Sequence, residues 1–340
     1  MEFVIDFLYV GDGDGIIIWG RNPNESDFVF FLDGGNKDCG KAIVTHYKNN
    51  IKPNLYQKRT IGFINSHPHA DHINGLFEIV EEIGNEMSWG IYNDPVKFIT
   101  EELRQNIKRS ALKQEDPDIE HLYKSFQKVQ ELNELCEKHG IEKKEALSDA
   151  FSFNEIKIVS PSREFYTDKF QQFTNIDFLK KVDFTKKAFS SINESVEGLK
   201  PCEVVDEKND ASPENLSATV IELVDSKNRR YLLTSDSGVE SFDDMEQNGF
   251  QCENLHIVQL PHHGSRRNIS TDWISKFAPD MFLISAEGNE KHPRKAVLSC
   301  IKKNLKNCRI YSTHKNKSTL SYTTNKDVFP NRNWKSAEPI

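Results

Sequence analysis

The chain has 340 residues, 37% of them hydrophobic, and carries a formal net charge of -8. That length accommodates one large domain or two of ordinary size, with enough apolar residues for a full core. The negative balance argues against an indiscriminate nucleic-acid coat protein, although it leaves room for a local basic site.

The N-terminal residues lack a basic segment followed by a long apolar core, so no signal peptide is expected. No apolar run approaches the roughly 20 residues that a spanning helix needs. A cytoplasmic protein with no membrane association is the expectation. Six scattered cysteines (Cys39, Cys136, Cys202, Cys252, Cys300, Cys308) form no C-x-x-C pair and are expected to be reduced thiols.

Residues 3–9 alternate and predict a strand. Gly11-Asp12-Gly13-Asp14-Gly15 predicts a tight turn, and residues 16–19 return as a second strand. Residues 28–32 form a third, ending in Asp33-Gly34-Gly35. Asp12 and Asp14 fit a turn, and they also resemble part of a calcium loop that lacks its later Glu. Asp33 reads either as a turn former or as a carboxylate holding a ligand histidine from behind. A short helix is expected over 40–50.

Residues 60–65 form a buried strand that runs directly into Ser66-His67-Pro68-His69-Ala70-Asp71-His72. Extended backbone points His67 and His69 to the same side. Asp71 and His72 fall on the turn into a helix over 73–82, where Leu76, Ile79, Val80 and Ile83 have helical spacing. One cation can take His67 and His69 while a second takes Asp71 and His72, an arrangement that suits a dinuclear hydrolytic centre.

A short strand at 89–92 precedes a Glu-, Lys-, Gln- and Leu-rich stretch near 97–148. Two helices are predicted within it, over 96–113 and 117–138. His121 and His139 lie here without a partner pattern and read as surface histidines. Residues 153–159 are strand-like. The polar stretch 163–213 is expected to be an insertion or lid, partly helical around 177–187. Strands follow at 216–224, 229–235, 255–260, 281–285 and 309–312, with a helix over 294–305 that has Pro293 at its start. Asp236, His262, His263 and His292 each follow one of these strands closely.

Taken together, these elements resemble the metallo-β-lactamase fold superfamily, specifically the branch typified by the C-terminal domain of the DNA-uptake channel protein ComEC/Rec2. The residues that carry the resemblance are Val10-Gly11-Asp12-Gly13-Asp14, Asp33-Gly34-Gly35, the H-x-H-x-D-H at 67–72, Leu232-Leu233-Thr234-Ser235-Asp236, Pro261-His262-His263-Gly264-Ser265 and Asn289 through His292-Pro293. They occur in the expected order from about residue 3 to 312. The resemblance implies an α/β protein of αββα sandwich architecture spanning 1–320, with the two inserts and a C-terminal tail at 321–340.

It also implies two divalent cations, zinc favoured and manganese or iron as alternatives. His67 and His69 would hold the first, Asp71 and His72 the second, and Asp236 would bridge them. His262 is the choice for completing the first and His292 for the second. Which of His262 and His263 is a ligand stays open; the other, taken as His263, would protonate a leaving group, with Asp71 orienting the nucleophile. The usual third histidine is absent. Asn215-Leu216-Ser217 stands there instead, with Asn215 supporting the ligands from behind, and the H-H-G-S histidine is expected to substitute.

The expected chemistry is hydrolysis by a metal-bridging hydroxide. Nine basic residues and no acid lie between 291 and 317. With Ser265, Arg266, Arg267 and Arg294 they favour an anionic substrate, making a phosphodiesterase or nuclease acting on nucleic acid or a nucleotide the leading expectation. The alternatives are a hydrolase of small esters, lactones or β-lactams, and a metal-stabilised interaction module. The inserts would be the surface for a protein partner or a second copy.

Overall fold

The computed structural model describes residues 1–22, 26–113, 117–174, 200–207, 211–289, 291–329 and 340. The first half of the chain builds one sheet from β1 (Glu2–Phe7), β2 (Ile16–Arg21), β3 (Asp27–Leu32), β4 (Arg59–Ile64), β5 (Trp89–Ile91) and β6 (Glu142–Lys144). Between them run helices α1 (Gly40–His46), α2 (Ala70–Ile83), α3 (Glu101–Leu112) and α4 (Pro117–His139). The second half builds the other sheet from β7 (Ser152–Phe153), β8 (Ile156–Ser160), β9 (Val220–Val224), β10 (Arg230–Leu233), β11 (Leu255–Gln259), β12 (Met281–Ile284) and β13 (Arg309–Ser312). Its helices are α5 (Arg163–Thr174), α6 (Pro201–Asp206), α7 (Pro213–Leu216), α8 (Val239–Gln247), α9 (Thr271–Phe277) and α10 (Lys295–Asn304). A last strand, β14 (Leu320–Thr323), crosses back to pair antiparallel with β1.

The strand sequences explain the layering. Phe3, Ile5 and Phe7 of β1 point to one face and pack with Ile221, Leu223 and Leu283 of the opposite sheet. Val4, on the other face, packs with Ile43 and Leu76 of the helices. Strands apolar on both faces must be covered on both. Leu232, Val258 and Phe282 of the second sheet meet Phe242, Trp273 and Ile301 of its own helices. The result is an αββα sandwich. A further cluster, built from Ile107, Leu122, Phe126 and Phe170, joins the helical insert to α5 in a second small core.

Several local expectations change. Residues 216–224 do not form one strand. Ser212 caps α7 by accepting from the Asn215 N–H, Pro213 opens that turn, and extended structure begins only at Val220. The strand expected over 153–159 is a hairpin, turned at Asn154 with φ of 51°. The insert near 97–148 ends in β6, an edge strand whose Glu-Lys-Lys sequence carries no alternation. Residues 321–323, read as tail, belong to β14. The helix expected around 177–187, and most of the stretch read as a lid, lie outside the described residues.

The cysteine expectation is also corrected. Cys202 on α6 and Cys300 on α10 form a disulfide across 98 residues of sequence, with Cα atoms 4.9 Å apart. Packing of α6 on α10 brings them together, which no local spacing announces.

The turn after β3 is locked to α2 through backbone alone. The Gly34 N–H donates to His72 O at 2.7 Å, and the Gly75 N–H donates to Gly35 O at 3.0 Å. A Cβ on Gly75 would run into the Gly34 carbonyl. Gly75→Ala is therefore expected to force α2 away from β3 and destabilise the fold by about 1–3 kcal/mol. Denaturant unfolding checks this.

Candidate metal centre

In the first sheet β3, β4 and β5 run parallel, and in the second β10, β11, β12 and β13 do. Their C-terminal ends therefore gather at one edge of the sandwich. Asp33 follows β3, His67 follows β4, Asp236 follows β10, His262 and His263 follow β11, and Ser285 follows β12. Side chains clamp the two sheets there. Ser235 Oγ donates to Ser66 Oγ at 2.7 Å, Gln259 Nε2 to Asp14 Oδ2 at 2.8 Å, and Ser285 Oγ to Gly13 O at 2.7 Å.

Asp236 lies at the centre and is 2% exposed. Its two oxygens divide the surrounding imidazoles. Oδ2 lies 3.8 Å from His67 Nε2 and 3.5 Å from His262 Nε2. Oδ1 lies 3.5 Å from His72 Nε2 and 3.6 Å from His263 Nε2. Asp71 Oδ2 adds a second carboxylate 3.9 Å from His72 Nε2. These separations exceed hydrogen-bond length. They suit donors around a shared cation, because bonds of ~2.0–2.1 Å at tetrahedral angles set ligand atoms roughly 3.3 Å apart.

The opposite ring nitrogens fix each tautomer. His72 Nδ1 donates to Asp33 Oδ2 at 2.8 Å, and His263 Nδ1 donates to the Ser285 carbonyl at 2.9 Å. Carboxylate and carbonyl oxygens only accept, so Nδ1 carries hydrogen in both rings, and the neutral form of each presents its lone pair at Nε2. Ser66 Oγ donates to Asp33 Oδ2 at 2.6 Å, leaving it to accept from His67 Nδ1 at 3.0 Å. Asn268 Nδ2 donates to the Asp236 and Ser237 carbonyls, which turns its Oδ1 toward His262 Nδ1 at 2.9 Å. In their neutral forms these rings thus turn Nε2 lone pairs toward the Asp236 carboxylate. The Nε2 atoms of His67, His72 and His263 and Asp236 Oδ1 are buried without hydrogen-bond partners. This donor set fits divalent cations.

The charges are mutually dependent. Burial and the neighbouring His72 and His69 hold His67 well below its ordinary range. Burial opposes charge on His72 too, but Asp236, Asp71 and Asp33 together outweigh it and hold its pKa well above normal. Burial likewise opposes ionised Asp236, and His262, His72 and His263 overcome it, keeping the carboxyl well below its usual range. Asp14, fully buried beside them, is pushed up to about 6, chiefly by burial.

Asp33 accepts from His72, Ser66 and Asn65, so it sits behind the histidines rather than in an exposed turn. Asn215 Nδ2 lies 3.1 Å from His262 Nδ1. The ring of His69 lies 4.5 Å from that of His67, and one of its nitrogens lies within 4.8 Å of ligand atoms of His121 and Glu214. His292 lies beside His262 and His263, with ring centroids 5.4 and 5.7 Å away. Burial, then the charges of His262 and His263, pushes its pKa down to about 2. His263, not His292, shares the Asp71–His72 group.

Among the expected substrate contacts, Arg266 requires correction. It is buried and donates to the Val204 carbonyl and to Glu207, so it braces the α6 segment. Ser265 is buried, while Arg267 and Arg294 are half-buried. Asp12 accepts from the Glu287 N–H and from Asn289 Nδ2, tying the first turn to the loop after β12. Asn268, Gln259 and Ser285 carried no sequence signal, since ordinary polar residues at strand ends look alike. His121 gave none because its neighbours are distant in sequence.

No family model matches the chain, and no curated protein matches it. Among solved structures, a long form RNase Z from yeast aligns with a TM-score of 0.34 and 9% identity, over 84% of this chain and 36% of that one. The chain thus spans about a third of that structure's length, and no residue role passes across at this identity.

Replacing Asp33 by Asn keeps the shape but removes the negative acceptor shared by His72 and Ser66. Metal affinity is expected to fall about 10–100-fold, by analogy with other groups that orient metal-binding histidines. Competition with a chelator checks this, and wild-type retention would contradict it.

Proposed function

We propose that the chain is a dinuclear metal-dependent hydrolase of the metallo-β-lactamase type, acting on phosphodiesters. The supporting observation is the buried Asp236 carboxylate, whose oxygens each face the Nε2 atoms of two imidazoles. His67 and His262 with Asp236 Oδ2 would hold one cation. His72, His263 and Asp71 with Asp236 Oδ1 would hold the other. Zinc suits imidazole and carboxylate donors, and manganese or iron remain compatible. When bound, such a pair lowers the pKa of a shared water toward neutrality and polarises the bond to be broken.

The protein's own groups supply the rest. Asp71, the more exposed carboxylate of the centre, accepts a proton from the attacking water and orients it. His263 becomes a cation-holding residue in this account, and His292 takes the place beside the substrate. Asp33, Asn268, Ser66 and the Ser285 carbonyl keep the rings from turning.

An anionic substrate is favoured by Arg267, Arg294 and the end of the basic run. Lys317 Nζ lies 5.9 Å from the centroid of the Tyr9 ring, at the start of the turn that carries Asp14. The basic run therefore reaches the loops of the site. Arg267 and Arg294 would contact phosphate oxygens as bidentate donors.

Asp236→Ala is expected to lose bound metal and to reduce hydrolysis of bis-p-nitrophenyl phosphate to background, with the circular dichroism spectrum retained. Full turnover by this variant would rule out the centre. Binding of a single- or double-stranded oligonucleotide should weaken steeply between 50 and 200 mM salt, as phosphate contacts require. Salt-indifferent turnover of a neutral ester, with no oligonucleotide binding, would point to a small-molecule hydrolase.

A further inference from the structure

Residues 313–319 cross from one sheet to the other on the edge that carries the candidate metal centre. β13 is the outermost strand of the second sheet, and β14 is the outermost strand of the first. Leu320, where β14 begins, pairs with Phe7, where β1 ends. Tyr9 and the Gly13–Asp14 turn follow β1 closely, and Gly13 O accepts from Ser285 Oγ after β12. β11, β12 and β13 are consecutive parallel neighbours, so their tips lie in one row. At about 4.8 Å per strand, the crossing loop stands roughly 10 Å along that row from His262 and His263.

The loop is built rather than slack. The Thr313 N–H donates to Ile284 O at 3.0 Å, and Thr313 Oγ1 accepts from the Ala286 N–H at 3.1 Å. Ser312 Oγ meets His314 Nδ1 at 2.6 Å, and His314 packs so closely on Gly288 that a Cβ there would clash with it. Lys315–Lys317 then forms one 3-10 turn, closed by Ser318 Oγ donating to Lys315 O at 3.1 Å. Both lysines are exposed, and among the described residues neither has an ion-pair partner. Lys317 Nζ stands beside the half-buried Tyr9 ring, and Lys291 is exposed on the adjoining loop after β12. Ordered cations beside an aromatic ring match a nucleic-acid strand, which offers a row of phosphates and a base with a flat face.

We propose that the β13–β14 loop is a second contact surface, at which Lys315 and Lys317 hold phosphates of a nucleic-acid strand while Tyr9 stacks on one of its bases. The proposal rests on the phosphodiester reading of the centre and deepens it. Successive phosphates advance about 3.4 Å along a duplex axis, so ~10 Å sets these contacts about three phosphates away from the one being cleaved. The substrate is then a polymer. A mononucleotide or a small diester fills the metal centre without reaching the loop. Inorganic polyphosphate offers the lysines the same charge but gives Tyr9 no base.

The full-length double variant Lys315→Gln/Lys317→Gln tests this on separate probes. Binding of a fluorescent phosphorothioate oligonucleotide reads the loop, and hydrolysis of bis-p-nitrophenyl phosphate reads the centre. The double variant should bind the oligonucleotide about tenfold more weakly, with the slope of log affinity against log salt shallower by about 1–2. Its kcat/KM for an oligonucleotide should fall by a similar factor relative to that for bis-p-nitrophenyl phosphate. Tyr9→Leu should weaken oligonucleotide binding by about tenfold without changing the salt slope, and should leave competition by inorganic polyphosphate as it is. An unchanged salt slope in the double variant would overturn the contact surface, whatever the centre hydrolyses. Polyphosphate competition that falls in Tyr9→Leu as far as oligonucleotide binding does would overturn the stacked base. A wild type inert toward both diesters, with the slope difference intact, would defeat the hydrolase reading and leave the contact surface standing.

Discussion

A carboxylate buried among imidazole lone pairs is the constraint around which the structure is arranged. Asp236 is almost fully buried, and the rings that face it are held by bonds at their other nitrogens, so that in their neutral forms they turn lone pairs toward it. A buried polar atom without a partner costs about 1–3 kcal/mol, and a buried charge costs more. His67, His72, His263 and Asp236 each contribute such an atom. A native fold tolerates that concentration where a cation fills the centre, since it satisfies every lone pair at once and offsets the carboxylate charge. The same unpartnered groups are the ones whose chemistry fits a cation.

The backbone makes this arrangement rigid. Parallel strands in both sheets bring their C-terminal ends to one edge, and the Ser235–Ser66, Gln259–Asp14 and Ser285–Gly13 bonds cross between the sheets at that edge. The backbone contact of Gly34 and Gly75 seats the first turn of α2, so Asp71 and His72 cannot drift from the strand tips. His262 and His263 both adopt left-handed conformations, with φ of 47° and 56°. For non-glycine residues this costs roughly 1–2 kcal/mol each. The turn holds because Asn268 and the Ser285 carbonyl capture the two rings, and strain of this kind is characteristic of functional sites.

The helical insert does more than decorate the sandwich. Its buried face joins the main core at Val129 and Leu132, and it makes a second small core with α5. Docking on α2 in parallel alignment carries its N-terminal end to the rim of the candidate metal centre. There the ring of His121 stands 5.3 Å from that of His69.

Much of the site could be read from the sequence. Short strands ending in His, Asp and His-His marked the candidate centre, because a strand's apolar alternation and its polar end are both local properties. The H-x-H-x-D-H run placed Asp71 and His72 at a helix start for the same reason. Asp33 was legible only as an ambiguity, since one short segment cannot tell a turn from a carboxylate behind a histidine. Tertiary structure alone decided how the candidate ligands group. His263 rather than His292 stands with Asp71 and His72, Arg266 turns inward to α6, and Cys202 meets Cys300. It also decided that His69 looks toward His121 on an insert fifty residues downstream. Each of these depends on which elements pack side by side, and the residues that record such packing are apolar ones with no chemical signature of their own.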